Sequence, residues 1–209
     1  GEFVWILGSH NLLAPNALEY LLDILKNNIK LNIIYTNFRC AKYPEQWPEQ
    51  AYLGYNGEFE YIGNKDINNR NISEWKDLIS IDSALCTQLY VHIIKANVWK
   101  SFWNNIDIPE TFKSAIGTYP HTYMIVKTLI NSPSFYIGEP LITIFNGAQH
   151  WGDLALKAKV YSLGLPELIR EFKKQKLASS IIKEAMDFNK SQIRVIALAS
   201  LKSHDFTLN

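Results

Sequence analysis

Phe3-Val4-Trp5-Ile6-Leu7-Gly8-Ser9-His10-Asn11-Leu12-Leu13-Ala14-Pro15-Asn16-Ala17-Leu18-Glu19-Tyr20-Leu21-Leu22-Asp23-Ile24-Leu25 is the stretch on which the fold turns. The apolar run from Phe3 to Leu7, rich in strand formers and stopped by Gly8, reads as a buried strand of a mainly parallel sheet. Pro15 stands where the first turn of a helix tolerates it, because its missing N–H would find no partner there. From Ala17 onward Leu18, Leu21, Leu22 and Leu25 recur at helical spacing, and Asn27-Asn28 closes the helix. Leu31 to Tyr35 then supplies a second strand. Strand, loop, helix and strand make a βαβ unit whose first loop is Gly8-Ser9-His10-Asn11.

Further along, residues Asn37 to Asn71 carry Pro44, Pro48, Gly54, Gly57, Gly63 and many Asn and Tyr, which breaks any period. A long loop with a hairpin in it is expected, and long loops in compact domains are often binding loops or lids. Ser73 is placed to cap a short helix with Trp75, Leu78 and Ile79. Ser83 to Ile94 is mixed, with strand character at its end from Leu89, Val91, Ile93 and Ile94, and Ala96 to Asn104 reads as a short helix. Tyr119-Pro120-His121 opens another helix running to about Asn131. Phe135 to Phe145 is a strand pair or one bent strand, with Gly138-Glu139-Pro140 as the bend. After a polar loop from Asn146 to Asp153 the chain is helical almost to its end, with breaks at Gly164-Leu165-Pro166 and near Asn189.

Composition narrows the function classes. With 209 residues of which 47% are hydrophobic, the chain can bury a sizeable core, so disorder is excluded. Its 21 Lys and Arg against 20 Asp and Glu leave a net charge of +1, without the cationic excess that non-specific nucleic-acid binding needs. Cys40 and Cys86 are too few for a disulfide framework and suit a reducing, cytoplasmic setting. No apolar run approaches the roughly 18 residues that span a bilayer. Dinucleotide, P-loop, nucleophile-elbow and His-Glu-x-x-His motifs are all lacking. The basic cluster Arg170, Lys173, Lys174 and Lys176, interleaved with Glu167 and Glu171, reads as a solvated helix face, with a weak contact to anionic lipid as the alternative.

The opening stretch, an apolar strand ended by a short motif, two apolar residues, a Pro and a helix beginning Ala-Leu, resembles family 2 glycosyltransferases of the GT-A fold, in particular those that build bacterial surface polysaccharides. Ser83 to Trp99 and the loop Asn146 to Trp151 resemble later segments of the same family more loosely. The resemblance implies an α/β fold: the C-terminal part of a GT-A-like mixed sheet flanked by helices, with a helical C-terminal extension. Residues 1–150 would form the α/β region and residues 151–209 the extension packed on it. The family's nucleotide-binding strands precede its acidic motif, and here the apolar run begins almost at Gly1. The expectation is therefore that those strands are lacking and that the chain alone binds nucleotide poorly.

The implied reaction is transfer of a sugar from a nucleotide-sugar donor to a saccharide or lipid-linked saccharide acceptor, in the cytoplasm or at the inner face of the membrane. In the family an Asp-rich motif holds a divalent metal, Mg²⁺ or Mn²⁺, on the donor diphosphate. Ser9, His10 and Asn11 stand in its place as the expected donor-site residues, and they bring no negative charge. Three readings stay open: catalysis without metal, loss of activity with the framework kept for carbohydrate binding or as a scaffold, and weak metal binding through His10, Asn11 and a carboxylate elsewhere. A loop that merely turns the chain overlaps the second. The family's base, a carboxylate, has no counterpart near Tyr119-Pro120-His121-Thr122-Tyr123. His121 is the candidate base there, with an ordinary pKa of about 6.5, against a polar surface or capping role. Gln149, His150 and Trp151 are the candidate acceptor contacts, an aromatic ring beside amide and imidazole groups suiting a sugar, with a core anchor at a helix start as the alternative for Trp151. His92, in an apolar stretch, reads as a core histidine.

Overall fold

The longest ladder joins the chain's two most continuous apolar strands. In the computed structural model, which describes residues 1–42, 59–107, 110–146 and 154–203, β3 (Ile33–Lys42) runs parallel to β7 (Ser134–Asn146). Both are buried along most of their length, as strands covered on both faces must be. Around this pair lie β1 (Phe3–Trp5), β2 (Leu12–Leu13), β4 (Phe59–Ile62), β5 (Arg70–Ile72) and β6 (His92–Lys95), in the order β1-β6-β3-β7-β2, with β4 on β3 and β5 on β7. The expected mixed α/β sheet is present.

Among the described strands every pairing except β3 with β7 is antiparallel, so the mainly parallel sheet expected around Phe3–Leu7 is not what forms. β1 is shorter than expected, half-buried, and paired with β6 alone among the described strands. An apolar run reports burial; whether its neighbour runs parallel or antiparallel depends on a partner far away in sequence. Two antiparallel steps, β1 to β6 and β6 to β3, leave β1 and β3 pointing the same way. The βαβ connection through α1 (Ala17–Asn27) therefore stands, with β6 inserted between its strands.

β3 also outruns its expected end at Tyr35, continuing to Lys42, and β4 returns antiparallel against Arg39–Ala41. The hairpin expected within residues 37–71 is thus built by lengthening β3. The Gly138-Glu139-Pro140 bend belongs to one bent strand. Between the pairs Thr36–Ile137 and Phe38–Ile142, β7 advances five residues while β3 advances two, and the surplus bulges out. Pro140 is tolerated because a bulge asks for no ladder donor.

A single side chain fills that bulge. Asn37, fully buried, donates from Nδ2 to the carbonyls of Gly138 (3.0 Å) and Asn64 (2.8 Å). Its Oδ1 accepts from the N–H groups of Phe38 (3.0 Å) and Asn64 (2.9 Å). The loop Gly63–Asn69 is drawn over the bulge by these bonds, by Asn69 Oδ1 accepting from Gly138 N–H (3.0 Å), and by Tyr136 Oη donating to the Asp66 carbonyl (2.6 Å). A Cβ on Gly138 would collide with the backbone of Ile67.

Below the bulge a row of rings crosses the sheet in register: His92 on β6, Tyr35 on β3 and Tyr136 on β7, with the Arg70 guanidinium of β5 over Tyr136 (4.6 Å). Tyr35 lies 5.6 Å from the His92 ring and 5.8 Å from Tyr136. His92 is buried here, as expected of a core histidine.

The chain forms two contact-dense units, residues 1–106 with 129–149, and residues 107–128 with 150–209. The first holds the sheet, α1, the one-turn helix at Trp75–Leu78 and α2 (Ala96–Trp103). The second is helical: α3 (Ala115–Thr118), α4 (Pro120–Thr128), α5 (Leu154–Lys159), α6 (Leu165–Lys174) and α7 (Ser179–Ser203). Residues 107–128 therefore cluster with the C-terminal helices and not with the sheet.

The break expected at Gly164-Leu165-Pro166 does not occur. A π-helical turn, Val160–Gly164, joins α5 to α6, and its wider bonding accommodates Pro166, which has no N–H to continue the α-helical ladder. The chain turns instead at residues 175–178, where Lys176 takes a left-handed conformation with φ 59°. Helix α7 passes through Asn189 unbroken, because that side chain is buried and capping nothing. Within this unit Glu171, nearly inaccessible to solvent, ties two helices together through Lys127 of α4 (3.0 Å) and Lys174 of its own helix (2.7 Å).

Candidate functional site

After β1 the chain makes the short loop singled out in the sequence. Asn11 N–H donates to the Gly8 carbonyl (3.0 Å), and Gly8 N–H donates to Asn11 Oδ1 (2.7 Å). Asn11 thus closes the turn from both its backbone and its side chain, as Asn commonly does. Ser9 Oγ sits 3.1 Å from His10 Nδ1. Leu12 and Leu13 then pair with Thr143 and Ile142 of β7, and Ala14 N–H donates to the Leu141 carbonyl (2.9 Å). Asn16, left-handed at φ 59°, turns the chain into α1. The apolar pair before the helix is therefore a strand of the sheet, which sequence alone did not reveal.

Taken alone, this turn does not fit a divalent cation. It holds no carboxylate, and its one amide oxygen accepts from Gly8 N–H. Among the described residues no three His, Cys, Asp or Glu side chains gather to hold a metal ion. Hard cations need anionic oxygens to displace their water.

The turn leads into a second register row, Ile62 on β4, Arg39 on β3, Thr143 on β7 and Leu12 on β2. Arg39 Nε donates to Thr143 Oγ1 (3.0 Å), and its guanidinium lies 4.1 Å from the centre of the Phe59 ring. Half-buried, it has no carboxylate at ion-pairing distance among the described residues. The signal that could have found it is a lone cation in the otherwise apolar or neutral run Ile33 to Ala41.

His121 lies in the first turn of α4 in the helical unit, whereas Ser9, His10 and Asn11 belong to the sheet unit. It is neither a surface residue nor a cap. With 4% of its surface exposed, the imidazole is buried, and a base must first be reachable by the hydroxyl it deprotonates. Gln149, His150 and Trp151 lie outside the described residues.

Neither cysteine offers nucleophilic chemistry. Both are buried and unbridged, and burial pushes the Cys86 thiol up to about 12 in spite of the opposing bond from Ser83. Burial likewise pushes the Tyr136 phenol up to about 12, with Arg70 opposing, so this hydroxyl keeps its proton and donates to Asp66 throughout the physiological range. No described helix is long and apolar enough to cross a membrane. No family model matches the chain, and no curated protein matches it significantly.

Proposed function

We propose that this chain is a family 2-like glycosyltransferase acting on a nucleotide-sugar donor and a saccharide or lipid-linked saccharide acceptor. The observation that carries the reading is the succession at residues 3–25. There an apolar strand, a tight Gly8–Asn11 turn, an apolar pair and a helix starting at Ala17 follow one another as in the family it resembles. In the reaction the acceptor hydroxyl forms a new bond to the anomeric carbon. The bond from that carbon to the diphosphate oxygen breaks, its electron pair leaves with the nucleoside diphosphate, and the hydroxyl proton passes to a base. Surface polysaccharide synthesis in the cytoplasm, at the inner face of the membrane, is the corresponding setting.

A second reading, a non-catalytic carbohydrate-binding or scaffold protein keeping the transferase framework, is favoured by the neutral turn and by the burial of His121. Incubation with a panel of nucleotide-sugar donors, with and without a saccharide acceptor and Mn²⁺, separates the two. Release of nucleoside diphosphate above a heat-denatured control supports transfer. No release under any condition, with saccharide binding retained, supports the second reading and removes the first.

A further inference from the structure

We infer that Arg39 is an anion seat for the diphosphate of the sugar donor, a role that the neutral Gly8–Asn11 turn leaves without a metal to fill. The inference rests on the transferase reading for the identity of the ligand, while the geometry of the seat stands by itself. A sugar donor carries its charge on the diphosphate, and that charge grows as the bond to the anomeric carbon breaks. Something cationic must meet it.

Arg39 is placed and prepared for that work. It lies near the carboxyl ends of the two parallel strands, three residues from the end of β3 at Lys42 and in register with Thr143 of β7. That is where ligands of α/β sheets bind. Leu12, which leaves the turn, stands in the same row two ladder steps away, about 10 Å at ordinary strand spacing. The bond from Nε to Thr143 Oγ1 and the contact with the Phe59 ring hold the guanidinium plane in one orientation. The bond to Thr143 uses Nε, and among the described residues no hydrogen bond engages the two terminal nitrogens, whose N–H groups form the fork that matches phosphate oxygens. A guanidinium tied to a carboxylate would have spent that fork, and no described carboxylate claims this one. Because arginine stays charged throughout the accessible pH range, such a seat needs neither a metal nor a protonation step.

The probe is inorganic pyrophosphate, titrated into the full chain in the presence of EDTA and followed by phosphorus NMR. Wild-type protein is expected to bind it, and Arg39→Gln to bind it roughly tenfold or more weakly, the scale of a lost charge-assisted bond. Arg39→Lys keeps the charge and loses the fork, so it is expected to fall between the two, with circular dichroism and thermal melting reporting the fold of each variant. Should Arg39→Gln fail to fold, weaker binding by a folded Arg39→Lys carries the same conclusion. Wild-type protein without EDTA-resistant pyrophosphate binding overturns the inference, as does unchanged affinity in the folded variants. If pyrophosphate binding depends on Arg39 but no donor is ever cleaved, the transferase reading falls and the anion seat stands. If donors are cleaved while Arg39 variants bind and turn over normally, the reverse holds.

Discussion

The amide of Asn37 donates to the carbonyl of Gly138 at 3.0 Å, a residue 101 positions away, inside the bulge where β7 breaks register with β3. This contact and its companions to Asn64 replace the ladder bonds that the bulge interrupts, and they place a polar side chain at the centre of an apolar sheet at no net polar cost.

The first prediction follows from that accounting. Asn37→Ala leaves the buried backbone groups of Gly138 and Phe38 and the half-buried ones of Asn64 without their partner, at about 1–3 kcal/mol for each buried group left unsatisfied. A loss of roughly 3 kcal/mol or more in chemical denaturation is expected. Asn37→Asp is expected to be comparably damaging, since a carboxylate cannot donate to the two carbonyls. A change under about 0.5 kcal/mol for both variants would show that the bulge holds itself.

In the helical unit, the Glu171 carboxyl is pulled in two directions. Burial alone would raise its pKa, but the bonds and charges of Lys174 and Lys127 outweigh burial and hold it below the ordinary 4.5. Glu171 in turn raises Lys127 above its ordinary 10.5. A depressed acid stabilises the fold fully above its unfolded-state value and loses that contribution as pH falls through its folded one. The raised lysine contributes fully below about 10.5 and loses its share at higher pH. Glu171→Gln is therefore expected to cost about 1–2 kcal/mol near neutrality, with the gap from wild type shrinking below about pH 4. Melting curves of both proteins across acid pH check this, and a constant gap would sink it.

Gly164 closes the π-helical turn against α3. A Cβ there would press into the Thr118 side chain, so Gly164→Ala is expected to destabilise by about 1–3 kcal/mol through overpacking. Pairing it with Thr118→Ala should recover part of the loss, because the neighbour that blocks the methyl is then smaller. A double-mutant cycle with no coupling would show that the helices simply move apart.

The turn itself invites a gain-of-function test. Asp at position 11 can accept from Gly8 N–H as Asn11 does, so Ser9→Asp with Asn11→Asp should fold normally. Two carboxylates would then line the turn, and calorimetry is expected to detect Mn²⁺ binding that exceeds wild type by about tenfold or more. Unchanged metal affinity would mean that the turn does not point its side chains where the family's acidic motif does.

Much of this architecture was legible in the residues because it is local. The helix beginning at Ala17, the helix and strand at residues 92–103, the bent strand at Gly138 and the burial of His92 all follow from periodicity, propensity and turn chemistry. The missed features depend on partners far along the chain. Leu12-Leu13 becomes a strand only because β7 lies beside it, and β3 runs on to Lys42 because β4 and β7 supply its missing bonds. The helix expected to break at Pro166 continues because its π turn absorbs the proline.

The candidate site divides in the same way. Gly8-Ser9-His10-Asn11 could be picked out by position, and its lack of carboxylates was plain from its letters. That Asn11 spends its oxygen on Gly8, that His121 is buried, and that half-buried Arg39 shares a register row with Thr143 and Leu12 are facts of packing and register. By itself the sequence determined which segments are apolar, where they turn, and that strands and helices together make an α/β fold. Tertiary structure alone decided which strands are neighbours and in which direction they run, and hence which polar side chains are consumed by the fold. The reason is physical: burial and turn preference are properties of a segment, whereas a hydrogen bond or a register belongs to two segments at once.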